Sequence, residues 1–476
     1  MDSPTATDDP SGRPATIGAL RESGWTAVPV KAELRRNAVA RISAGEPLIP
    51  GLSGYDDTVL PQLENAVLAG HDVIFLGERG QAKTRIIRSL TTLLDEWMPI
   101  VAGSELRDDP TNPVSRHARD LVAQHGDDTP VEWVPRARRF AEKLATPDTS
   151  IADLIGEIDP IKIAEGRYLS DELALHYGLV PRANRGIFAI NELPDLPERI
   201  QVGLLNVLEE RDVQIRSSMV RLELDVWLVA SANPEDYTNR GRIITPLKDR
   251  FGSQIRTHYP LEVPTEVDII RSEARAIELP DASVSVPDYL VDVVATFSHL
   301  ARASSHVNQR SGVSVRLSVS NYEALAANAL RRGLRGGERD VVARVDDLDA
   351  LAASTSGKIE IESFDEGRDG AIIENLLSGA VLAVFRERVP AEMLIAITDS
   401  FDEGTVVHTG EHVGSREIAS LLEQIDALRV PVATLTGGDE SPGAVASAVE
   451  FVLEGLHLSK RLNKDSVGVR STYRSR

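Results

Sequence analysis

Three short, almost wholly apolar runs, "DVIFLG", "GIFAIN" and "VWLVASAN", stand between Ile49 and Pro260, separated by stretches with helical apolar spacing. A strand that reads as continuous apolar text has both faces covered, and strands separated by helices pair in parallel. The alternation predicts an α/β domain built on a parallel sheet. In such sheets ligands gather at the carboxyl ends of the strands, so the residues ending each run are the first candidates for chemistry.

The first run continues as "VIFLGERGQAKTRII", residues 73 to 87. This follows the phosphate-loop pattern G-x-x-x-x-G-K-[ST], with Ala82 where the last glycine is usual. Gly77, Glu78, Arg79, Gly80, Gln81, Ala82, Lys83, Thr84 and Arg85 form the candidate nucleotide-binding segment. Backbone N–H groups at a helix start can face phosphate oxygens. Lys83 can reach the outer phosphates, and the Thr84 hydroxyl can serve Mg²⁺. The plain alternative is an ordinary glycine-containing turn from strand to helix. If position 82 requires a positive φ, its Cβ costs about 1–2 kcal/mol.

The second run ends in Asn191 and Glu192, and the third in Asn233. A carboxylate at Glu192 can orient or deprotonate a water that attacks a γ-phosphate, and Asn233 can hold that water. "TPLKDRF" places Arg250 after a strand and turn, and "GVSVRLSVSNYEAL" places Arg316 at a helix opening. A cation aimed at a transferring phosphoryl group contributes about 10³–10⁵ in rate. Singly, each has a dull reading: a strand-end Asn caps, and a surface Arg solvates a face. Their order on the expected elements favours a nucleotide site.

The net charge of −21 and pI near 5.0 argue against nucleic acid or an anionic membrane as a partner. The absence of cysteine excludes disulfides, thiolate metal sites and a thiol nucleophile. The polar, acidic opening lacks a secretory signal, and no apolar run nears the roughly 20 residues that span a bilayer. A soluble, cytoplasmic protein is expected.

Residues 1–48 read as a disordered tail, about fifteen residues long, and a helix stopping near Gly45. Residues 49–260 read as the α/β domain. Within it, about 104–146 form a charged, helical surface insertion, and about 147–180 a second insert. A helical lid over 261–355 and a helical extension over 356–476, with a loose basic tail, complete the organisation. His408 and His412 flank Gly410 in text that reads as a loop, with no third ligand for a metal. Asp281, Ser283 and Ser285 have D-x-S-x-S spacing but lack a preceding apolar strand, and read as a turn and helix start.

"GERGQAKT", "DLIGEIDPIKIAEGR", "GLVPRANRGIFAINE", "SANPEDY", "LKDRF" and "GVSVR", in this order, resemble the AAA+ ATPases. The nearer likeness is to the branch holding the magnesium-chelatase ATPase subunit and the MoxR group. The resemblance implies ATP and Mg²⁺ as ligands, with Lys83 and Thr84 in the first nucleotide motif and Thr84 and Asn191 beside the metal. It implies Glu192 as hydrolytic carboxylate, and Asn233 and Arg316 as first and second sensors. Arg250 becomes the arginine finger reaching a neighbouring subunit, with Arg182, Arg185, Arg240 and Arg242 as rivals. It further implies 147–180 as a helix-2 insert facing substrate or partner, a ring, most simply a hexamer, and a separate von Willebrand A domain partner. Asn191 departs from the family's aspartate, which with Ala82 leads us to expect slow hydrolysis. Two other readings stand beside this one: a nucleotide-binding scaffold with little hydrolysis, and a DNA-dependent regulator of the same superfamily, for which "DVQIRSSMVRLEL" offers a hairpin but the chain no contact loop.

Overall fold

The computed structural model describes residues 12–164, 172–209, 212–214, 221–233, 242–308, 312–361, 369–401, 405–467 and 470–475. The chain divides into two compact units. The first runs to His258 apart from Arg79–Gln81; the second joins Arg79–Gln81 to Tyr259–Arg476.

Five strands form the sheet of the first unit: β1 (Val73–Leu76), β2 (Phe140–Leu144), β3 (Gly186–Asn191), β4 (Val226–Ala232) and β5 (Ser253–Arg256). Their order is β5-β1-β4-β3-β2, and every pairing is parallel. The α/β AAA+ fold expected from the sequence is present. Alternation along each strand sends one set of side chains to each face. Val73, Phe75, Ile187, Ala189, Trp227 and Val229 meet the helices Val30–Ala44, Val59–Ala69 and Lys83–Ser89. Ile74, Leu76, Phe188, Ile190, Leu228 and Ala230 pack with Leu204 of the helix Glu198–Glu209 and Leu247 of the helix Thr245–Arg250. Both faces are covered, which is why the central strands β1, β3 and β4 are almost wholly apolar.

The expected helical insertion needs correction. Only Arg116–His125 in that stretch is a regular α-helix of any length; Trp97–Val101 and Val131–Pro135 pair antiparallel, and residues 140–144 are β2 itself. The charged text concealed an edge strand, whose side chains are only partly covered, so no apolar run marks it. Part of the expected tail is also packed onto the fold. The Arg13 guanidinium lies 5.2 Å from the Trp97 ring and 5.1 Å from the Trp133 ring, and Trp133 Nε1 donates to the Pro14 carbonyl. In the insert at 147–180, Gly156–Ile158 and Leu175–Tyr177 pair antiparallel; residues 165–171 lie outside the described residues.

A buried ion pair ties the helix Val30–Ala44 to the entry of β2. Arg139, 1% exposed, donates to both carboxylate oxygens of Glu33 at 2.7 and 2.6 Å and to the Arg185 carbonyl at 2.9 and 2.7 Å. Glu33 also accepts from the Asp95 N–H at 2.6 Å.

The second unit has one continuous hydrophobic core running in sequence from Val267 to Tyr473, so the expected split into lid and extension is not seen. The helices Asp288–Ala303, Asp369–Arg388 and Pro442–Leu458 are together its largest contributors. A Cβ on Gly455 would stand 2.2 Å from the Phe385 ring, so glycine permits that close helix contact. The supposed loose tail is a strand: Arg470–Ser475 lies between Val406–Gly410 and Leu462–Val467 in an antiparallel sheet. Its alternating side chains bury Ser471 and Tyr473, a period that short basic text hid. His408 thus stands on a strand rather than in a loop. Ser283–Ser285 likewise forms a short strand parallel to Asp340–Val342 before the helix at Asp288.

Between β1 and the helix Lys83–Ser89 the backbone turns through two left-handed residues, Gly80 at φ 76° and Ala82 at φ 51°. Glycine at 82 would remove the Cβ cost of about 1–2 kcal/mol and return part of it as unfolded-chain entropy. Ala82→Gly is therefore expected to raise the unfolding free energy of the first unit by about 0.5–1 kcal/mol in urea titration. Glu33→Ala leaves the Arg139 guanidinium buried without its counter-charge, and the same titration should show a loss of about 3–5 kcal/mol.

Candidate functional site: a lysine, an asparagine and a glutamate at three strand ends

β1, β4 and β3 are neighbours, and the chain leaves their carboxyl ends as Gly77, Asn233 and Glu192. The Gly77 N–H donates to the Ala232 carbonyl at 3.1 Å, extending the β1–β4 pairing into the loop. The helix that follows starts at Lys83, and the Ala82 side chain provides no cap for it. Uncapped N–H groups at a helix start favour an anion.

Lys83 is buried and turns back over the loop. Its ammonium donates to the carbonyls of Gly77 and Glu78, the latter at 2.7 Å, and to Asn233 Oδ1 at 2.6 Å. Asn233 Nδ2 in turn donates to Glu192 Oε2 at 2.6 Å. Lysine, asparagine and glutamate thus form one hydrogen-bonded chain across three strand ends. Its charges, one positive and one negative, are held apart by the neutral amide. Glu192 has φ 56°, a conformation that costs a non-glycine residue energy and is often kept where geometry serves a site.

Asn191 is buried beside this chain. Its Oδ1 accepts from Ser231 Oγ at 3.2 Å, and its Nδ2 donates to Glu142 Oε1 on β2. Ser231 Oγ also accepts from the Glu192 N–H at 3.3 Å. Thr84, one residue into the helix, is half-buried. The oxygens here come from a hydroxyl, an amide and carboxylates, a donor set that suits a hard cation such as Mg²⁺.

Sequence reasoning passed over Ser231 and Glu142. Ser231 was visible in "VWLVASAN" as the one hydroxyl beside the strand end, but only the β3–β4 register aligns it with Asn191. Glu142 lay in text read as a surface helix.

The arginines separate by environment. Arg250 ends the helix Thr245–Arg250, with Nη1 3.5 Å from Asp249 and the side chain partly exposed. Arg182 is half-buried, 3.7 Å from Glu105, and Arg242 is exposed. Arg185 is corrected as a rival finger. It is buried, donates to the Pro99 carbonyl at 2.8 Å and sits 5.9 Å from the Trp25 ring, so it cannot reach another molecule. Arg240 lies outside the described residues. Arg316 is exposed at the second position of the helix Val315–Gly336, in the second unit. The strands Asp212–Gln214 and Arg221–Glu223 pair antiparallel as the hairpin text suggested; residues 215–220, with Arg216, lie outside the described residues.

No helix among the described residues is long and apolar enough to cross a membrane. The family model of the sigma-54 interaction domain matches residues 165–250, the stretch holding Asn191, Glu192, Asn233 and Arg250. The magnesium-chelatase 38 kDa subunit of Rhodobacter capsulatus is 29% identical over 255 residues, covering 49% of this chain and 65% of that protein. The magnesium-chelatase subunit ChlI of Anabaena variabilis is 29% identical over 219 residues, covering 44% of this chain and 59% of that one. The matches span under two thirds of these relatives' lengths. Among solved structures, the complex of magnesium-chelatase subunits BchI and BchD aligns at TM-score 0.34 and 21% identity, over 68% of this chain and 97% of that one. NtrX from Brucella abortus aligns at TM-score 0.38 and 13% identity, over 75% of this chain and 68% of that one. A phosphate loop, a strand-end glutamate and an asparagine in hydrogen-bonded register, together with these sequence relatives, make the chain similar to the AAA+ ATPases of the magnesium-chelatase group.

Proposed function

We propose that this chain is a ring-forming motor that hydrolyses Mg-ATP to remodel, activate or load metal into a separate partner protein. The observation that carries the reading is the chain from Lys83 through Asn233 to Glu192. In this reading the Lys83 ammonium leaves the loop carbonyls for the outer phosphates of ATP. Exchanging carbonyl dipoles for phosphate charge is a stronger interaction. Asn233 then keeps its bond to Glu192 and holds the carboxylate in line for the attacking water. Glu192 accepts the water's proton as the new oxygen–phosphorus bond forms and the bond from the γ-phosphorus to the bridging oxygen breaks, with ADP as the leaving group.

Thr84 and Asn191 would hold Mg²⁺, which neutralises phosphate charge when bound. Asn191 supplies an oxygen without a charge, which supports slow turnover. Arg250, at a partly exposed helix end, is the proposed finger for a neighbouring subunit, and Arg316 the second sensor. A finger supplied in trans requires a closed ring of head-to-tail contacts, most simply a hexamer. A von Willebrand A domain protein is the proposed partner, on resemblance alone. The net charge of −21 weighs against a DNA-dependent regulator. Little hydrolysis, with nucleotide used as a structural ligand, is the competing reading, supported by Asn191.

Steady-state ATP hydrolysis with Mg²⁺, followed against protein concentration, tests the motor. Turnover per subunit should rise with concentration, and Glu192→Gln should lower it by about 10²–10⁴-fold while nucleotide still binds. Equal, near-zero rates in both proteins would favour the scaffold. Arg250→Ala should lose about 10³–10⁵ in rate with ATP binding nearly intact. Mixing it with Glu192→Gln protein should restore part of the activity, since mixed rings contain intact shared sites; no recovery at any ratio would remove Arg250 as a trans finger.

A further inference from the structure

The strand end that faces the phosphate-loop helix carries a neutral amide, Asn191, where a doubly charged metal ion would be expected to draw on at least one carboxylate. A carboxylate is present one strand away. Glu142 lies on β2 in register with Ala189, and Ala189 and Asn191 share a face of β3. That face packs against Ile86 and Ile87 of the helix Lys83–Ser89. Asn191 Nδ2 donates to Glu142 Oε1, while Glu142 Oε2 accepts from Arg88 Nε at 2.8 Å. Arg88 is four residues after Thr84 on one helix, so the two side chains lie on the same side of it. Glu142 therefore stands between the end of β3 and the side of the helix that carries Thr84.

The pairing of Glu142 with Asn191 also fixes the asparagine. With its amide nitrogen turned to Glu142 and its oxygen to Ser231, only one orientation satisfies both neighbours. An aspartate at 191 would face the Glu142 carboxylate and be repelled by it. The two positions are complementary: one negative charge, placed on β2 rather than on β3. As a stability device the arrangement would contribute little, because Arg88 is 64% exposed and such pairs are worth about 0–1 kcal/mol.

We infer that Glu142 is a positioning residue that supplies, through Asn191, the negative charge in the outer shell of the Mg²⁺ carried by a bound nucleotide, and that Arg88 steadies it. The inference rests on reading residues 77–85 as a nucleotide loop. It assigns the apparent defect at Asn191 to a relocated charge rather than to a lost one.

The test measures affinity for the fluorescent nucleotide mant-ADP on the full chain, across a Mg²⁺ titration and in EDTA, with thermal melting of the free protein as a control. Glu142→Gln should require about 10–100-fold more Mg²⁺ to reach the same affinity, with binding in EDTA and the melting temperature unchanged. Adding Asn191→Asp to Glu142→Gln returns the charge to the other strand and should recover the Mg²⁺ dependence. Wild-type Mg²⁺ dependence in Glu142→Gln would overturn the inference and leave Glu142 as a tie between helix and strand. If Glu142→Gln melts early, the charge-swapped pair decides: recovery supports the inference and its absence overturns it. A wild-type protein that binds mant-ADP in neither condition would remove the nucleotide reading itself, an outcome distinct from the others.

Discussion

Five strands that all run the same way are the constraint on which the site depends. Parallel pairing puts every carboxyl end on one edge, so loops far apart in sequence deliver Gly77, Glu192 and Asn233 to one place. Parallel strands need crossovers, and the crossovers cover both faces with helices. The unbroken apolar text of Val73 to Leu76 and Gly186 to Ile190 follows from that cover. In the central strands, polar groups then appear only near the carboxyl ends, as Ser231 and Asn191 do.

At that edge the charges are arranged economically. The Lys83 ammonium and the Glu192 carboxylate do not meet directly; Asn233 stands between them with its oxygen to one and its nitrogen to the other. A direct ion pair would hold both groups tightly and oppose the entry of an anionic ligand. An amide bridge satisfies each partner and can be given up on one side without stranding the other. Two left-handed residues, Ala82 and Glu192, mark where the chain turns sharply out of a strand on each side of this bridge. Both lie in the segments where precise direction matters more than local comfort.

Much of this was legible in the sequence, and the remainder was not for definable reasons. The central strands announce themselves because burial on both faces leaves no polar position. The phosphate loop, Glu192 and Asn233 follow from spacing relative to those strands. β2 was missed because an edge strand carries Glu142 and Lys143 on partly covered faces, and its charged text imitates a surface helix. The strand Arg470–Ser475 was missed because one partner, Val406–Gly410, lies far back in the chain, and the adjoining partner, Leu462–Val467, is mostly polar text that shows no apolar period. Arg185 looked like the other arginines of its segment; only its burial distinguishes it. Ser231 and Glu142 acquire meaning from strand register, which no single stretch of sequence contains.

The pair of Glu33 and Arg139 has a consequence for how this chain can change over time. The two residues stand 106 positions apart, and each satisfies a charge that the other would leave stranded. Replacing both with apolar side chains of similar volume can be neutral, whereas either replacement alone crosses a valley several kcal/mol deep. A lineage can therefore keep both or exchange both, but has no gentle path between the two conditions. The helix Val30–Ala44 and the entry to β2 are in this sense inherited together, as one genetic unit rather than two.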